Sequence, residues 1–463
     1  ISVACTTSRY QEIDTSPPEL PQQYLYQVED NELAELSSLL PNADPAFLEL
    51  KNLAIINSPT LGAALARIET ARAIARGSRS NQLPALNGNL NYAETKNNPN
   101  QFGQSAPSIF TSDNAGNSYS GNFVATWEID LFGRLKASEN AALARLEAAT
   151  ASAEAVRLVL IAEIAGNIID WRSLALREAA LGRDLEASNR LTQLVQAKEQ
   201  AGIAPSFDRI RAEAAANQSR SRLTSLDIER AFIIGRLTSL TGISGQSLIR
   251  ILQSSDPELV LPEAPSSFPS ELLQTRPDIR ESEAQLRASD ADLAAVARSQ
   301  FPRLNLSATI GFLSFGSLDI FSDDSQVSSM TSSLATSILD FGRLQAEVDL
   351  ASAKKNLAFA NYQQTIFNAL GESEEAYAKI AATDKQAEAI KHEYDELERA
   401  AFLAEARYNA GLSDFLTVIE ARRAADTSGD RFAVSLGETR RARVALWQAL
   451  GGDYYTITRS INQ

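Results

Sequence analysis

Asp130-Leu131-Phe132-Gly133-Arg134-Leu135 returns further along the chain as Leu339-Asp340-Phe341-Gly342-Arg343-Leu344, with the two glycines 209 residues apart. Two other landmarks keep that register. Gly202, in Glu-Gln-Ala-Gly-Ile-Ala-Pro-Ser, matches Gly411, in Tyr-Asn-Ala-Gly-Leu-Ser-Asp-Phe, and Gly242 matches Gly451. Three separated landmarks at one offset define an internal duplication, the feature to establish before any other. Upstream the offset becomes 218, where Leu83-Pro84-Ala85-Leu86 matches Phe301-Pro302-Arg303-Leu304. The first copy therefore carries nine extra residues between Pro84 and Gly133. They fall in an interval rich in Asn, Ser and Gly (Asn97 to Ser118), which predicts an exposed extended loop.

After each Phe-Gly-Arg comes a long run rich in Ala, Leu, Glu and Arg and free of proline, about 134–200 in the first copy and 343–409 in the second. These are the strongest helix formers. Ile161, Ile164, Ile168, Trp171 and Leu174 recur at three- to four-residue spacing, a coiled-coil-like seam. At 1.5 Å per residue such a run predicts a helix roughly 100 Å long, more than a compact domain needs. Each run breaks at a glycine, Gly202 or Gly411, and a shorter helix returns over about 206–240 or 413–450. Further helices of about 20 residues are predicted over 60–77 and 278–299. Stacked on the short returning helix, each would match the length of its long partner.

Between the short and long helices the period changes from 3.6 to 2. Leu86-Asn87-Gly88-Asn89-Leu90-Asn91-Tyr92 alternates, as does the stretch 119–131, whose odd positions are apolar or small and whose even positions are polar except Val124. The second copy has 304–310 and a less regular run from Met330 to Ile338. Strands are thus predicted over 85–93, 118–131, 303–313 and 328–339. A half-buried soluble sheet gives the same period as a membrane barrel, and the pattern alone does not separate them. The strand number adds an argument: four strands cannot close around a channel, whereas three chains would supply twelve. If the strands lie in a membrane, a trimer follows.

Composition excludes several classes. The formal net charge of −15 argues against nucleic acid as a partner. One cysteine, Cys5, and one histidine, His392, leave no internal disulfide and no Cys/His zinc cluster. No Gly-rich phosphate loop or nucleophile elbow is present, so no catalytic residue, cofactor or metal is expected. No run approaches 18 consecutive apolar residues, so a transmembrane helix is not predicted and any membrane crossing must use a closed barrel. Ile1-Ser2-Val3-Ala4-Cys5 reads like the end of a signal peptide followed by a lipidated cysteine, although Ser2 stands where a large aliphatic residue is usual.

Three blocks carry a family resemblance: Trp127-Glu128-Ile129-Asp130-Leu131-Phe132-Gly133-Arg134; Leu272-Leu273-Gln274-Thr275-Arg276-Pro277-Asp278-Ile279 with Phe301-Pro302-Arg303-Leu304; and Ala406-Arg407-Tyr408-Asn409-Ala410-Gly411-Leu412-Ser413 with Phe415-Leu416-Thr417-Val418. With the repeat, the sequence resembles the TolC-like outer-membrane efflux proteins over roughly residues 44–452, particularly the lipoprotein branch that works with resistance-nodulation-division pumps. The resemblance implies a mostly α protein with membrane β: a homotrimer whose twelve-stranded outer-membrane β-barrel continues into a long coiled-coil helical periplasmic tunnel. It implies a passive channel, without enzyme activity or cofactor, that meets a periplasmic adaptor and an inner-membrane pump. A type I protein-secretion duct shares the architecture and stays open as an alternative; a non-channel coiled-coil scaffold is a more distant one. The predicted organisation is an N-terminal arm (1–43), repeat 1 (44–242), an inter-repeat linker (243–275), repeat 2 (276–451) and a tail (452–463).

The same resemblance assigns candidate sites. Gly202, Ile203, Ala204, Pro205, Ser206, Gly411, Leu412, Ser413 and Phe415 would form the adaptor-facing tips. Asp208 matches an acidic residue of the family's periplasmic aperture; Thr417 occupies the equivalent place in the second copy, with Asp414 and Glu420 nearby as replacements. Asp208 and Asp414 fit equally a plainer role as carboxylates at helix N-termini. Tyr408 matches a tyrosine that helps hold the closed state in some members. Arg211, paired with Glu420 in the repeat, is placed for an inter-repeat salt bridge, and Cys5 is the expected lipid attachment point.

Overall fold

A computed structural model describes residues 15–26, 36–95, 116–254, 261–264, 269–315 and 322–452. In chain order the elements are α1 (Pro45–Asn57), α2 (Pro59–Ser80), β1 (Ala85–Thr95), β2 (Gly116–Ile129), α3 (Arg134–Gln200), α4 (Ser206–Thr241), α5 (Gly245–Gln253), α6 (Leu272–Thr275), α7 (Pro277–Arg298), β3 (Arg303–Phe315), β4 (Gln326–Ala335), α8 (Arg343–Asn409) and α9 (Phe415–Ala449). The chain divides into two units. One holds Ile68–Ala148 and Glu283–Ala360; the other holds Asp14–Arg67, Ala149–Ser282 and Asn361–Gln463. Cys5 lies outside the described residues.

The first unit is built on one antiparallel sheet in the order β1-β2-β3-β4. Its register sorts the side chains by chemistry. Leu86 pairs with Ala125, Gly88 with Phe123 and Leu90 with Gly121; Phe123 pairs in turn with Ile310, Trp127 with Leu306 and Leu304 with Leu334. Paired residues share a face, so these form one continuous apolar surface. The opposite face carries Asn87, Asn89, Asn122, Thr126, Asn305, Ser307, Thr309 and Thr331. The apolar face is not covered within the chain: Leu90 is 87 % exposed and Met330 80 %. A one-residue slip would reverse every one of these assignments.

Each repeated Phe-Gly-Arg motif is the turn that converts a strand into a long helix. Asp130 accepts a hydrogen bond from the Lys136 amide at 2.8 Å, and Asp340 accepts from the Gly342 and Leu344 amides at 3.1 and 3.0 Å. Gly133 and Gly342 hold φ of 76° and 87°, where a Cβ would be strained. Phe132 stacks on Phe301 with centroids 4.8 Å apart, and Arg298 donates to the Gly133 carbonyl at 2.8 Å. The second copy departs from the predicted strand 328–339. β4 stops at Ala335, and Ile338, Leu339 and Phe341 are exposed. The equivalent end of β2 is held by β3, whereas β4 is an edge strand with a ladder on one side only.

The second unit is helical. Asp44 caps α1, accepting from the Ala46 amide at 2.9 Å, and the same carboxylate takes a bidentate pair from Arg172 of α3 at 2.8 and 3.1 Å. Arg172 spends its remaining fork nitrogen on the Leu252 carbonyl at 2.8 Å, at the end of α5. One guanidinium thereby ties the start of repeat 1, its long helix and the inter-repeat segment. Phe47, Leu50, Leu237, Leu248 and Leu252 pack as fully buried core in this unit. The inter-repeat stretch 243–275 is thus more than a linker, since α5 lies within it. Arg276 has a comparable role in repeat 2, donating to the Ala449 carbonyl at 2.9 Å and pairing with Asp278 and Glu372.

Removing one partner of a buried pair strands the other charge, which costs about 3–5 kcal/mol. Asp44→Ala is therefore expected to destabilise the helical unit by about that amount, measured by denaturant or thermal unfolding in detergent. An unchanged midpoint would show that Arg172 finds another anion.

Candidate functional site

Two helical hairpins, α3–α4 and α8–α9, end in turns of the same construction. Gly202 and Gly411 adopt φ of 71° and 74°. The amides that follow them reach back, Ile203 to the Lys198 carbonyl and Leu412 to the Arg407 carbonyl, each at 2.8 Å. Gly202 donates to Glu199 at 2.9 Å and Gly411 to Tyr408 at 3.0 Å. This is the Schellman closure, which uses up carbonyls left over at a helix end and needs glycine at the left-handed position. Pro205 then precedes α4 without a side-chain cap, while Asp414 caps α9.

The tips are held together by a small apolar core. Leu191 and Val195 of α3, Ala212 of α4, Ala404 and Tyr408 of α8, and Phe415, Val418 and Ile419 of α9 form one buried cluster. Tyr408 and Phe415 contact ring to ring at 5.6 Å. Lys198 of the first hairpin lies 3.6 Å from the Tyr408 ring centroid and donates to its backbone carbonyl at 3.3 Å. Burial raises the Tyr408 phenol pKa, and the nearby Asp208 carboxylate adds to the rise. The structure thus brings Asp208, Tyr408 and Lys198 to one place.

Other predicted residues fall differently. Phe415 is not an exposed tip residue: it is 2 % exposed, because Phe415, Val418 and Ile419 form the inward seam of α9. Ile203 and Leu412 remain exposed at 75 % and 69 %. The exposed aromatic at the tips is Phe207, which the sequence reading did not select. The repeat contained the signal: Phe207 aligns with Leu416, also exposed, whereas Phe415 aligns with Ser206. The Arg211–Glu420 salt bridge is not formed. Arg211 instead sits over the Phe207 ring, 4.4 Å from its centroid, and a guanidinium held on an aromatic face on its own helix is not free to span repeats. Asp414 accepts from the Thr417 amide at 2.9 Å and the Thr417 hydroxyl at 2.5 Å, and these bonds hold its carboxyl below the usual range. Glu420 is exposed on α9.

Away from the tips the hairpins are joined by ion pairs. Arg177 of α3 reaches Asp430 of α9 at 2.8 Å and Glu229 of α4 at 2.7 Å. Within the second hairpin, Arg443 of α9 holds Asp384 of α8 at 2.9 Å, and it reaches the Pro262 carbonyl of the inter-repeat segment at 2.6 Å. Among the described residues there is no cluster of three or more His, Cys, Asp or Glu arranged to hold a metal, and no helix long and apolar enough to cross a membrane.

A duplicated pair of long helical hairpins, each springing from a sheet with one exposed apolar face, defines a class of protein. The outer membrane efflux protein family model matches residues 50–242 and 268–452, and the chain belongs to that family. It is therefore an outer-membrane efflux channel protein. It is 29 % identical to the pyoverdine export outer membrane protein OpmQ of Pseudomonas aeruginosa, over 89 % of this chain and 86 % of that one. It is 28 % identical to the solvent efflux pump outer membrane protein SrpC of Pseudomonas putida, over 90 % and 89 %. The solved outer-membrane channel OprN superposes with a TM-score of 0.85 at 27 % identity, covering 95 % of this chain and 99 % of that one.

Truncating a buried aromatic costs about 3–5 kcal/mol. Tyr408→Ala is expected to speed hydrogen exchange in the peptides around residues 195 and 418 by at least a hundredfold, with peptides of the sheet unaffected. Tyr408→Phe keeps the ring and should stay within a few-fold of the wild type.

Proposed function

We propose that three copies of this chain close their sheets into a twelve-stranded barrel in the outer membrane, and that their hairpins form a helical duct in the periplasm. The observation that carries this reading is the sheet with a continuous exposed apolar face and two strand edges, β1 and β4, each paired on one side only. Lipid covers such a face, and neighbouring copies satisfy such edges. The duct is passive. Its cargo is small molecules delivered by an inner-membrane pump through a periplasmic adaptor, which engages the exposed tip residues Ile203, Phe207 and Leu412. The relatives named for pyoverdine export and solvent efflux support small-molecule cargo over protein secretion. Asp208 and Asp414, repeated three times, form rings that favour cations at the entrance. Cys5 carries the lipid anchor.

Mass measured in mild detergent, corrected for bound detergent, should give three times the 50.1 kDa chain; a detergent-independent monomer would remove the duct reading. Phe123→Arg places a charge on the lipid face near the middle of β2 and should cost about 2–4 kcal/mol, visible as lost assembly in the outer membrane. Asn122→Arg, on the opposite face, should assemble normally. In planar bilayers, Asp208→Asn combined with Asp414→Asn should lower the cation-to-anion permeability ratio, and an unchanged ratio would remove both residues from the entrance.

A further inference from the structure

Some 15–18 residues from the tips, roughly 25 Å along the helices, the hairpins meet again at charges that the tip does not use. Asp184 of α3 and Asp426 of α9 are buried, 6 % and 7 % exposed, and both turn to the same arginine, with Asp426 Oδ1 making no hydrogen bond. One guanidinium serves them both. Arg422 lies 3.4 Å from Asp184 and 3.0 Å from Asp426, and 3.8 Å from a third carboxylate, Glu398 of α8. Among the described residues no other cation forms an ion pair with either aspartate. Other charges around the cluster are Arg183, Glu186 and Arg190 on α3, Arg222 on α4, Tyr394, Asp395 and Glu405 on α8, and Arg423 on α9. Arg183 is exposed, and its charge opposes the rise that burial gives the Tyr394 phenol pKa.

Charge decides what this arrangement can do. One cation cannot neutralise three carboxylates, and two buried carboxylates gathered around one guanidinium cannot both ionise at low cost. A proton held between them turns repulsion into a hydrogen bond linking α3 to α9. Burial, with the Asp184 charge beside it, pushes Asp426 up to about 7, and burial also raises Asp184. A groove of about 720 Å³, lined by Asp184, Glu398 and Arg422, opens beside the pair and gives the proton a path to solvent. The duplication does not supply a twin. At the repeat-related positions stand Glu393 and Asn217, and Glu393 is exposed and paired with Arg431.

We propose that Asp184 and Asp426 share one proton and act as a pH-sensitive latch between the long helix of the first hairpin and the returning helix of the second. With the proton in place the two helices are bonded; without it, Asp184, Asp426 and Glu398 repel and the contact loosens. The direction follows from linkage. An aspartate in the unfolded chain titrates near about 3.9, so the folded protein holds this proton more tightly. The stabilisation is complete below about pH 4 and is lost as pH rises through about 7. The consequence for transport, easier opening at alkaline pH, rests on the duct reading; the latch itself does not.

The test uses the full-length protein in mild detergent. Infrared difference spectra between pH 5 and 9 should show a protonated-carboxyl C=O band that disappears with a midpoint near pH 7 and is absent in Asp426→Asn. Hydrogen exchange, corrected for its intrinsic pH dependence, should rise about tenfold per pH unit between about pH 4 and the midpoint near 7 in peptides containing residues 184 and 426, the slope of one linked proton, and level off above it. Asp426→Asn should flatten that slope. Asp184→Asn removes the neighbouring charge and should move the transition to lower pH, a second readout if Asp426→Asn folds poorly. A wild type without a band titrating between pH 6 and 8, or an Asp184→Asn variant with an unmoved midpoint, would overturn the latch. Neither measurement requires conduction. A titrating latch in a protein that forms no channel would refute only the duct, and a conducting trimer without the titration would refute only the latch.

Discussion

A strand edge in hydrocarbon has no water to satisfy its peptide groups, and each one left unpaired costs several kcal/mol. The sheet here has two such edges, on β1 and β4, together with one face of exposed apolar side chains. No rearrangement inside one chain removes both problems, because four strands are too few to close on themselves. The duplication becomes intelligible from this constraint. Each copy delivers two antiparallel strands, and each continues into a helix of 67 residues. A sheet that must be completed by other copies brings their hairpins together with it.

The helical unit buries its large side chains, among them Phe47, Ile164, Leu181, Leu237 and Tyr377, in separate places along the helices. Its seams use alanine and close backbone approach: a Cβ on Gly437 would lie 2.8 Å from the Ser173 hydroxyl, and one on Gly429 2.9 Å from the Tyr394 ring. Most inter-helix ion pairs are partly exposed, and such pairs contribute about 0–1 kcal/mol each. The firm attachments are buried and lie where segments converge, at Arg172 with Asp44 and at Arg276 with the Ala449 carbonyl. This division places rigidity in the middle of the helical unit and leaves the hairpin ends on the compact cluster around Tyr408. An element that has to open is drawn from regions of low local stability.

Much of the fold is legible in the sequence because it rests on periodicity and glycine. The Phe-Gly-Arg turn, the glycines at the tips and the change from period 3.6 to period 2 are local signals, and local backbone geometry is what they determine. Relations between helices are less legible. Spacing shows that Phe415, Val418 and Ile419 share a face, but the resemblance placed Phe415 outside; only packing against Tyr408 reverses that. Arg211 and Glu420 align in the repeat, yet repeat alignment does not imply proximity, and Arg211 finds a nearer partner in Phe207. The end of β4 at Ala335 is not legible because alternation does not reveal how many neighbours a strand has. α5 spans nine residues, and its two buried positions, Leu248 and Leu252, are too few to mark a helical face in the sequence.

Asp184 and Asp426 were illegible for a further reason. Each sits among many charges on a long helix, and nothing in either local sequence distinguishes a solvated aspartate from a buried one. Their meeting also shows how a duplication diverges. The two hairpins keep the same glycine turn and nearly the same lengths, which the shared backbone design requires. Charge is free to differ where the backbone is not. The long helix of the first copy gained a buried partner on the returning helix of the second, while the reciprocal pair, Glu393 and Asn217, did not. A contact present on one side of a pseudo-symmetric pair and missing on the other makes the hairpins mechanically unequal. The side bonded through a shared proton resists separation until that proton leaves; on the other, Glu393 turns to Arg431 of its own hairpin instead of across to α4. Asymmetry of this kind gives a duplicated scaffold a preferred side on which to open.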